Sequence, residues 1–380
     1  ARNHMVAPYT INPVECTEQK FKARAAGWDG GEEGKFDFGD DGEFAFTPTG
    51  TIYAWNYSTG LGQSTDDGDT FTTIAGSQPS LFRSLAVDPF DPMRVLSVHQ
   101  SFGTLVGPST VLNANNTAYS NGLLFDPVHQ GFVFIRANGQ YSTNGGTTWA
   151  SNALMNVGAF DAAGAGYRLE VLTGQVRLRK APALNVATPA WTTLSSFTDT
   201  TIPAGSAVKV SGQTVVVALG TRLFVSSNGG VSFGPVAIAE PSIQPLASAV
   251  AEAGSTVYLA TSGQLLRSTD SGGTWSQVPV TAPPAARIHL SATNPNVVYL
   301  RKEQYNSSYA STLLSTTNGF QTTTTSSSSG GWYSWASAFA FNEAAPTTAY
   351  ALGWSRAEKT TTALAFTGTA VMSSPSSWFV

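Results

Sequence analysis

Short runs dense in Val, Tyr, Leu and Ile recur along the chain, separated by stretches rich in Ser, Thr, Asn, Asp and Gly. The runs occupy 51–55 (TIYAW), 94–98 (RVLSV), 132–136 (FVFIR), 167–172 (YRLEVL), 214–219 (TVVVAL), 256–261 (TVYLAT), 297–302 (VVYLRK) and 348–353 (TAYALG), starting 35 to 51 residues apart. None shows the 3.6-residue period of an amphipathic helix. Brief, β-branched and bounded by turn residues, they predict buried strands. Several follow turns built on Asp, Asn and Pro, such as Asp88-Pro89-Phe90-Asp91-Pro92, Asp126-Pro127 and Asn294-Pro295-Asn296. Pro fixes φ there, and Asn or Asp bonds its own backbone.

A second series lies between the runs. Ser64–Asp66–Gly68–Thr70–Phe71 and Ser268–Asp270–Gly272–Thr274–Trp275 fit the octet S-x-D-x-G-x-T-[WF]. Ser142–Asn144–Gly146–Thr148–Trp149 and Ser226–Asn228–Gly230–Ser232–Phe233 carry Asn in place of Asp. A worn copy is expected at Ser315-Thr316-Thr317-Asn318-Gly319, and a last remnant at 373–378 (SSPSSW). Such a segment suits a tight hairpin. The carboxylate or amide accepts turn N–H groups, Gly supplies positive φ, and the aromatic packs under the turn.

This octet resembles the Asp-box repeat, also called the bacterial neuraminidase repeat, of sialidases, xyloglucanase-type glycosidases, sortilin-type receptors and photosystem-assembly propellers. The resemblance implies that each octet joins the third and fourth strands of a propeller blade. It implies a structural role on the outer rim for Asp66, Gly68, Asn144, Gly146, Asn228, Gly230, Asp270 and Gly272, not a catalytic one. A repeat of this length suits one four-stranded antiparallel blade. The expectation is an all-β chain with a single β-propeller over residues 42–380, eight blades, with seven as the runner-up. Residues 1–41 form an N-terminal segment expected to pair with a strand within 340–380 and close the ring, because an open sheet edge invites aggregation.

Composition narrows the function. Of the 380 residues, 42% are hydrophobic and only 12% charged, with a net charge of −4, so nothing suggests a nucleic-acid or anionic-membrane partner. No stretch of 18 apolar residues is present for membrane insertion. One Cys excludes a disulfide framework or a thiolate metal centre. The four histidines are scattered, so no metal site is expected from them. The acids Asp29, Glu32, Glu33, Asp37, Asp40, Asp41 and Glu43 crowd one Gly-rich stretch. They read as a solvated loop; a calcium site is the alternative, although the spacing is not that of a calcium-binding loop. No other cofactor is implied.

Catalysis makes stricter demands. The sialidase resemblance would require three arginines clamping a carboxylate, and no pattern selects three of the chain's thirteen. Asp29, Asp88, Asp126 and Asp161 lie near turns at blade starts. Trp332, Tyr333 and Trp335, with Trp354 beyond, form the aromatic cluster best suited to stack on sugar rings. The chain therefore reads as a non-catalytic propeller, a recognition or structural module on a cell surface or virion that binds glycan or protein. The alternative is a carbohydrate-active enzyme, a glycoside hydrolase or polysaccharide lyase, on one propeller. Oligomeric state is not readable from the sequence.

Overall fold

The computed structural model describes residues 42–373 apart from 47–49, 57–59, 74–81, 92–93, 100–102, 107–109, 113–122, 136–138, 204–205, 221, 237–249, 262–263, 282–285, 292, 303–310, 329–337, 343–344, 353–355 and 363–369. These residues form eight four-stranded antiparallel sheets. In chain order they span 42–73, 82–112, 123–151, 159–197, 207–236, 250–278, 286–328 and 338–373, and are called sheets 1 to 8. In every sheet the strands pair in sequence order, so each is a local meander. The turns joining strands one to two and three to four therefore lie at the same end of a sheet. Among the described residues the regular structure is β, apart from one short 3-10 turn at Ala153–Met155.

The first strands line the inside. That of sheet 1 (Gly42–Phe46) packs against those of sheet 2 (Phe82–Val87) and sheet 8 (Ala338–Phe341), which makes the arrangement a closed ring. Sheet 5 shows why the runs read as continuously apolar. All six residues of its second strand, Thr214–Leu219, are buried. Val215, Val217 and Leu219 join Tyr167, Val176 and Leu178 of sheet 4. Val216 and Ala218 join Tyr258, Leu259 and Leu265 of sheet 6. A strand covered on both faces has no polar side, and each such Val stabilises by roughly 1.5–3 kcal/mol.

The octets close the hairpins between third and fourth strands of sheets 1, 3, 5 and 6. In sheet 6, Asp270 Oδ1 accepts from Thr274 N at 2.8 Å and Oδ2 from Thr274 Oγ1 at 2.7 Å. Ser268 Oγ donates to Asp270 Oδ1 and accepts from Gly272 N, both at 2.8 Å. Asp66 repeats the scheme with Thr70 at 2.9 and 2.6 Å. Asn144 and Asn228 accept from Thr148 N and Ser232 N, each at 2.9 Å, and their amide nitrogens donate to the hydroxyls of Thr148 and Ser232. Hydrogen bonding to the ionised form holds Asp66 and Asp270 down at about 2, with the Thr70 hydroxyl and the Thr274 N–H the largest contributors respectively.

Sheet 7 keeps the octet's hydrogen-bond scheme, with Thr323 in place of the closing aromatic, and its register differs from the expected copy. Thr316 takes the place of the first Ser, and its Oγ1 bonds Asn318 Oδ1 at 2.9 Å and accepts from Phe320 N at 3.0 Å. Thr322 N donates to Asn318 Oδ1 at 3.0 Å. Phe320 thus stands where the others have Gly, at φ +69°. The reason lies in the neighbouring sheet. A Cβ at Gly68, Gly146, Gly230 or Gly272 would meet Tyr350 at 2.5 Å, Leu96 at 2.8 Å, Leu178 at 2.8 Å or Val225 at 2.6 Å. Each of those partners belongs to the preceding sheet. Phe320 fills the same place with its ring, 2% exposed and edge-on to Tyr258 of sheet 6.

Sheet 1 docks on sheet 8 by the same rule. Tyr350 Oη donates to Asp67 O at 2.9 Å, Asn342 Nδ2 donates to Asp67 Oδ1 at 3.0 Å, and Lys359 Nζ pairs with Asp67 at 3.1 Å and Asp69 at 2.8 Å. Sheet 8 draws all four strands from its own residues, with Ala370–Ser373 outermost. The closing segment 1–41 lies outside the described residues. The expected remnant at 373–378 is corrected: it begins where the fourth strand ends, so it does not join third and fourth strands.

Candidate functional site

Between sheets 4 and 5 the packing is apolar; between sheets 3 and 4 that pattern breaks. The third strand of sheet 4 (Gln175–Ala181) sends Val176 and Leu178 toward sheet 5 and places Arg177 and Arg179 on its opposite face. On the paired second strand (Gly166–Leu172), Arg168 stands opposite Arg179 and Glu170 opposite Arg177, on that same face. Alternation along a strand thus gathers three cations and one anion on one side of one sheet.

Glu170 bridges two of the arginines. Arg168 Nη2 donates to its Oε1 at 2.9 Å, and Arg179 Nη1 to its Oε2 at 2.7 Å. Arg168 is 3% exposed, with Nη1 donating to Ala153 O at 3.0 Å and its guanidinium 4.2 Å from the Trp191 ring. Trp191 Nε1 donates to Leu154 O at 2.8 Å, and its carbonyl accepts from Arg179. The Ala153–Met155 turn, capped by Asn152 Oδ1, therefore holds the network from the sheet 3 side. Apolar packing continues beside it through Phe134, Met155, Phe160 and Leu184. Burial alone would raise Glu170; the two guanidiniums outweigh it and hold the carboxyl below its ordinary value. Burial pulls Arg168 down, opposed by Glu170.

Arg177 differs. With both oxygens of Glu170 taken, its guanidinium donates to Thr173 Oγ1 at 2.7 Å, its one hydrogen bond among the described residues. Thr173 sits at φ +50° beside Gly174 at +72° in the tight turn linking the two strands. A β-branched residue in that region is strained. The Nε atoms of Arg168, Arg177 and Arg179 are buried with no partner among the described residues.

The acids near blade starts cap their turns. Asp88 Oδ1 accepts from Phe90 N at 2.8 Å, Asp161 Oδ1 from Ala165 N at 2.9 Å, and Asp126 Oδ1 from Val128 N at 2.9 Å, while Asp126 Oδ2 lies 2.9 Å from His129 Nδ1. Asp161 also pairs with Lys180 at 3.0 Å. Asp66, Asn144, Asn228 and Asp270 sit in outer hairpins rather than on the first strands that line the ring. Trp332, Tyr333, Trp335 and Trp354 lie outside the described residues, as do Asp29 and the acidic stretch through Asp41. The sheet 4 arginines were missed by sequence reasoning, although basic residues at alternating positions of QVRLRKA were a usable signal.

The fold is a β-propeller. No family model matches the chain, and no curated protein matches it. Among solved structures it is similar to the glycoside hydrolase family 74 xyloglucanase from Xanthomonas campestris, at 16% identity over 87% of this chain and 53% of that one, TM-score 0.47. It is also similar to YCF48 bound to D1 peptide, at 14% identity over 73% and 88% of the chains, TM-score 0.41. A third is the BP39L lectin from Burkholderia pseudomallei, at 14% identity over 75% and 98%, TM-score 0.38. The chain spans about half the length of the xyloglucanase structure it matches.

Proposed function

We infer that this chain is a non-catalytic recognition or structural module, an Asp-box propeller of eight blades that offers its surface to glycan or protein outside the cell or on a virion. The observation that carries the reading is the state of its carboxylates. Asp66 and Asp270 are held at about 2 as acceptors for turn N–H groups. Asp126 and Asp161 cap backbone, and Glu170 is locked between two guanidiniums. A glycosidic acid–base pair needs one carboxyl raised toward neutrality beside another. These groups are arranged for architecture and charge pairing instead; Asp88, which burial raises, caps its own turn through Phe90 N and lies 3.7 Å from Arg94. Trp332, Tyr333, Trp335 and Trp354 are the proposed stacking surface for a sugar ring.

A glycan array with the full chain, run beside a reducing-sugar release assay on the glycans it retains, tests the reading. Binding without release is expected. Steady release of reducing ends or of unsaturated sugar would overturn it in favour of a hydrolase or lyase.

A further inference from the structure

The charged face of sheet 4 carries more positive charge than it neutralises. Arg168 and Arg179 share Glu170, and Arg177 retains a guanidinium whose one hydrogen bond among the described residues goes to a neutral hydroxyl. Glu170 stands opposite it on the second strand, and on the other side its neighbours are hydroxyls. Ser196 stands opposite Arg177 across the third and fourth strands, Thr193 stands opposite Arg179, and Ser196, Thr193 and Thr173 are all exposed. The apolar Leu154 and Val186, 38% and 46% exposed, lie on the two segments that flank the network through Leu154 O and Trp191.

We propose that Arg177, with Thr173, Thr193 and Ser196 around it, is a binding site for an oxyanion on a saccharide, the carboxylate or sulfate of an acidic polysaccharide. A guanidinium offers parallel donors to either group, and the hydroxyls match those of the sugar. Arg177, the one of the three arginines without an ion pair among the described residues, suits a chain bearing one oxyanion per sugar unit. An acidic peptide fits worse, because adjacent carboxylates would be brought against Glu170, itself 30% exposed. The strained Thr173 contributes by holding its hydroxyl 2.7 Å from Arg177 and fixing that side chain at the mouth of the seam. This inference rests on the recognition reading above and names its ligand class.

Affinity electrophoresis of the full chain in gels containing polygalacturonate, dextran sulfate or neutral dextran tests it. Retardation by at least one acidic polymer and not by dextran is expected, and which of the two retards it assigns carboxylate or sulfate. Arg177→Gln should weaken that retardation at least tenfold, Arg177→Lys should restore part of it, and Arg267→Gln in sheet 6 should leave it unchanged. Equal melting temperatures show that the variants are folded. Unaltered retardation of folded Arg177→Gln overturns the site, as does equal loss in Arg267→Gln, which marks non-specific charge attraction. Binding of neutral glycans alone overturns the acidic-ligand site and leaves the recognition reading standing; release of sugars overturns the recognition reading itself.

Discussion

The fifth octet position offers a sharp test, because the chain places opposite residues there for one geometric reason. Gly272 has φ +85°, and a Cβ would lie 2.6 Å from Val225 Cβ and 2.7 Å from its Cγ1. Gly272→Ala therefore carries about 1–2 kcal/mol for a left-handed residue with a side chain and about 1–3 kcal/mol for forcing the seam apart. Phe320 bears the first cost at φ +69° but recovers it by burying its ring against Tyr258. Phe320→Ala should lose about 3–5 kcal/mol, since the ring goes and the backbone penalty stays. Phe320→Gly loses the same ring but relieves the backbone, so it should be the more stable of the two by about 1 kcal/mol. Guanidinium unfolding followed by Trp fluorescence measures all three. Alanine at 320 matching or exceeding glycine, or a neutral Gly272→Ala, would refute the argument that seam contact and positive φ together choose this residue.

The Lys359 ammonium is raised because its two carboxylates outweigh burial, so its contribution is complete below its unfolded value of 10.5 and is lost as pH rises through the higher folded one. Melting temperature should fall more between about pH 10 and 12 in the parent than in Lys359→Met; coincident profiles would discount the clasp. Asp270→Asn should fold normally, since Asn228 makes the same bonds, whereas Asp270→Ala should melt lower. The depressed Asp270 stabilises fully above its unfolded value of 3.8 and loses this as pH falls through about 2, so the Asn variant should lack that acid-side decline. Glu170→Gln leaves Arg168 buried without its anion and should cost about 2 kcal/mol, below the 3–5 of full burial because Glu170 is partly solvated, as read by chemical denaturation.

Local rules written in the sequence are recovered where one residue decides one turn. Asp66 and Asp270 with their Ser and Thr partners specify a hairpin within eight residues, and Thr214–Leu219 is apolar because both its faces are covered. The sheet 7 octet reads one position off in the sequence because the motif places Gly there, while the fold demands only a residue that can meet Tyr258 at positive φ. The pairing within the charged seam is illegible for another reason, although the alternating basic residues of its third strand are not. Arg168 and Glu170 lie inside a run chosen for its apolar density, and nothing local says that Arg179, nine residues beyond Glu170, shares its carboxylate. Pairing across a hairpin and contact with a neighbouring sheet had to be known first. The Trp332 cluster illustrates the opposite weakness: composition nominates it, and no contact of the described residues places it.

The octets act between sheets as much as within them. In sheets 1, 3, 5, 6 and 7 the fifth octet residue presses on the sheet before it, onto Tyr350, Leu96, Leu178, Val225 and Tyr258 respectively. The contact between sheets 1 and 8 is one of this set, so ring closure reuses the internal rule and adds the Lys359 clasp. Sheet 4 carries no octet; residues 182–191 join its outer strands, bringing Leu184 and Trp191 against sheet 3. Sheets 2 and 8 carry none either, and of these three it is sheet 4 whose contact with its neighbour holds Arg168, Glu170 and Arg179. A charged network is a poor substitute for apolar packing on stability grounds, because desolvating the ions offsets much of their attraction. Its presence at a seam without an octet is the feature that the proposed recognition role accounts for, and departures from the local rule are where function is expected in a scaffold this regular.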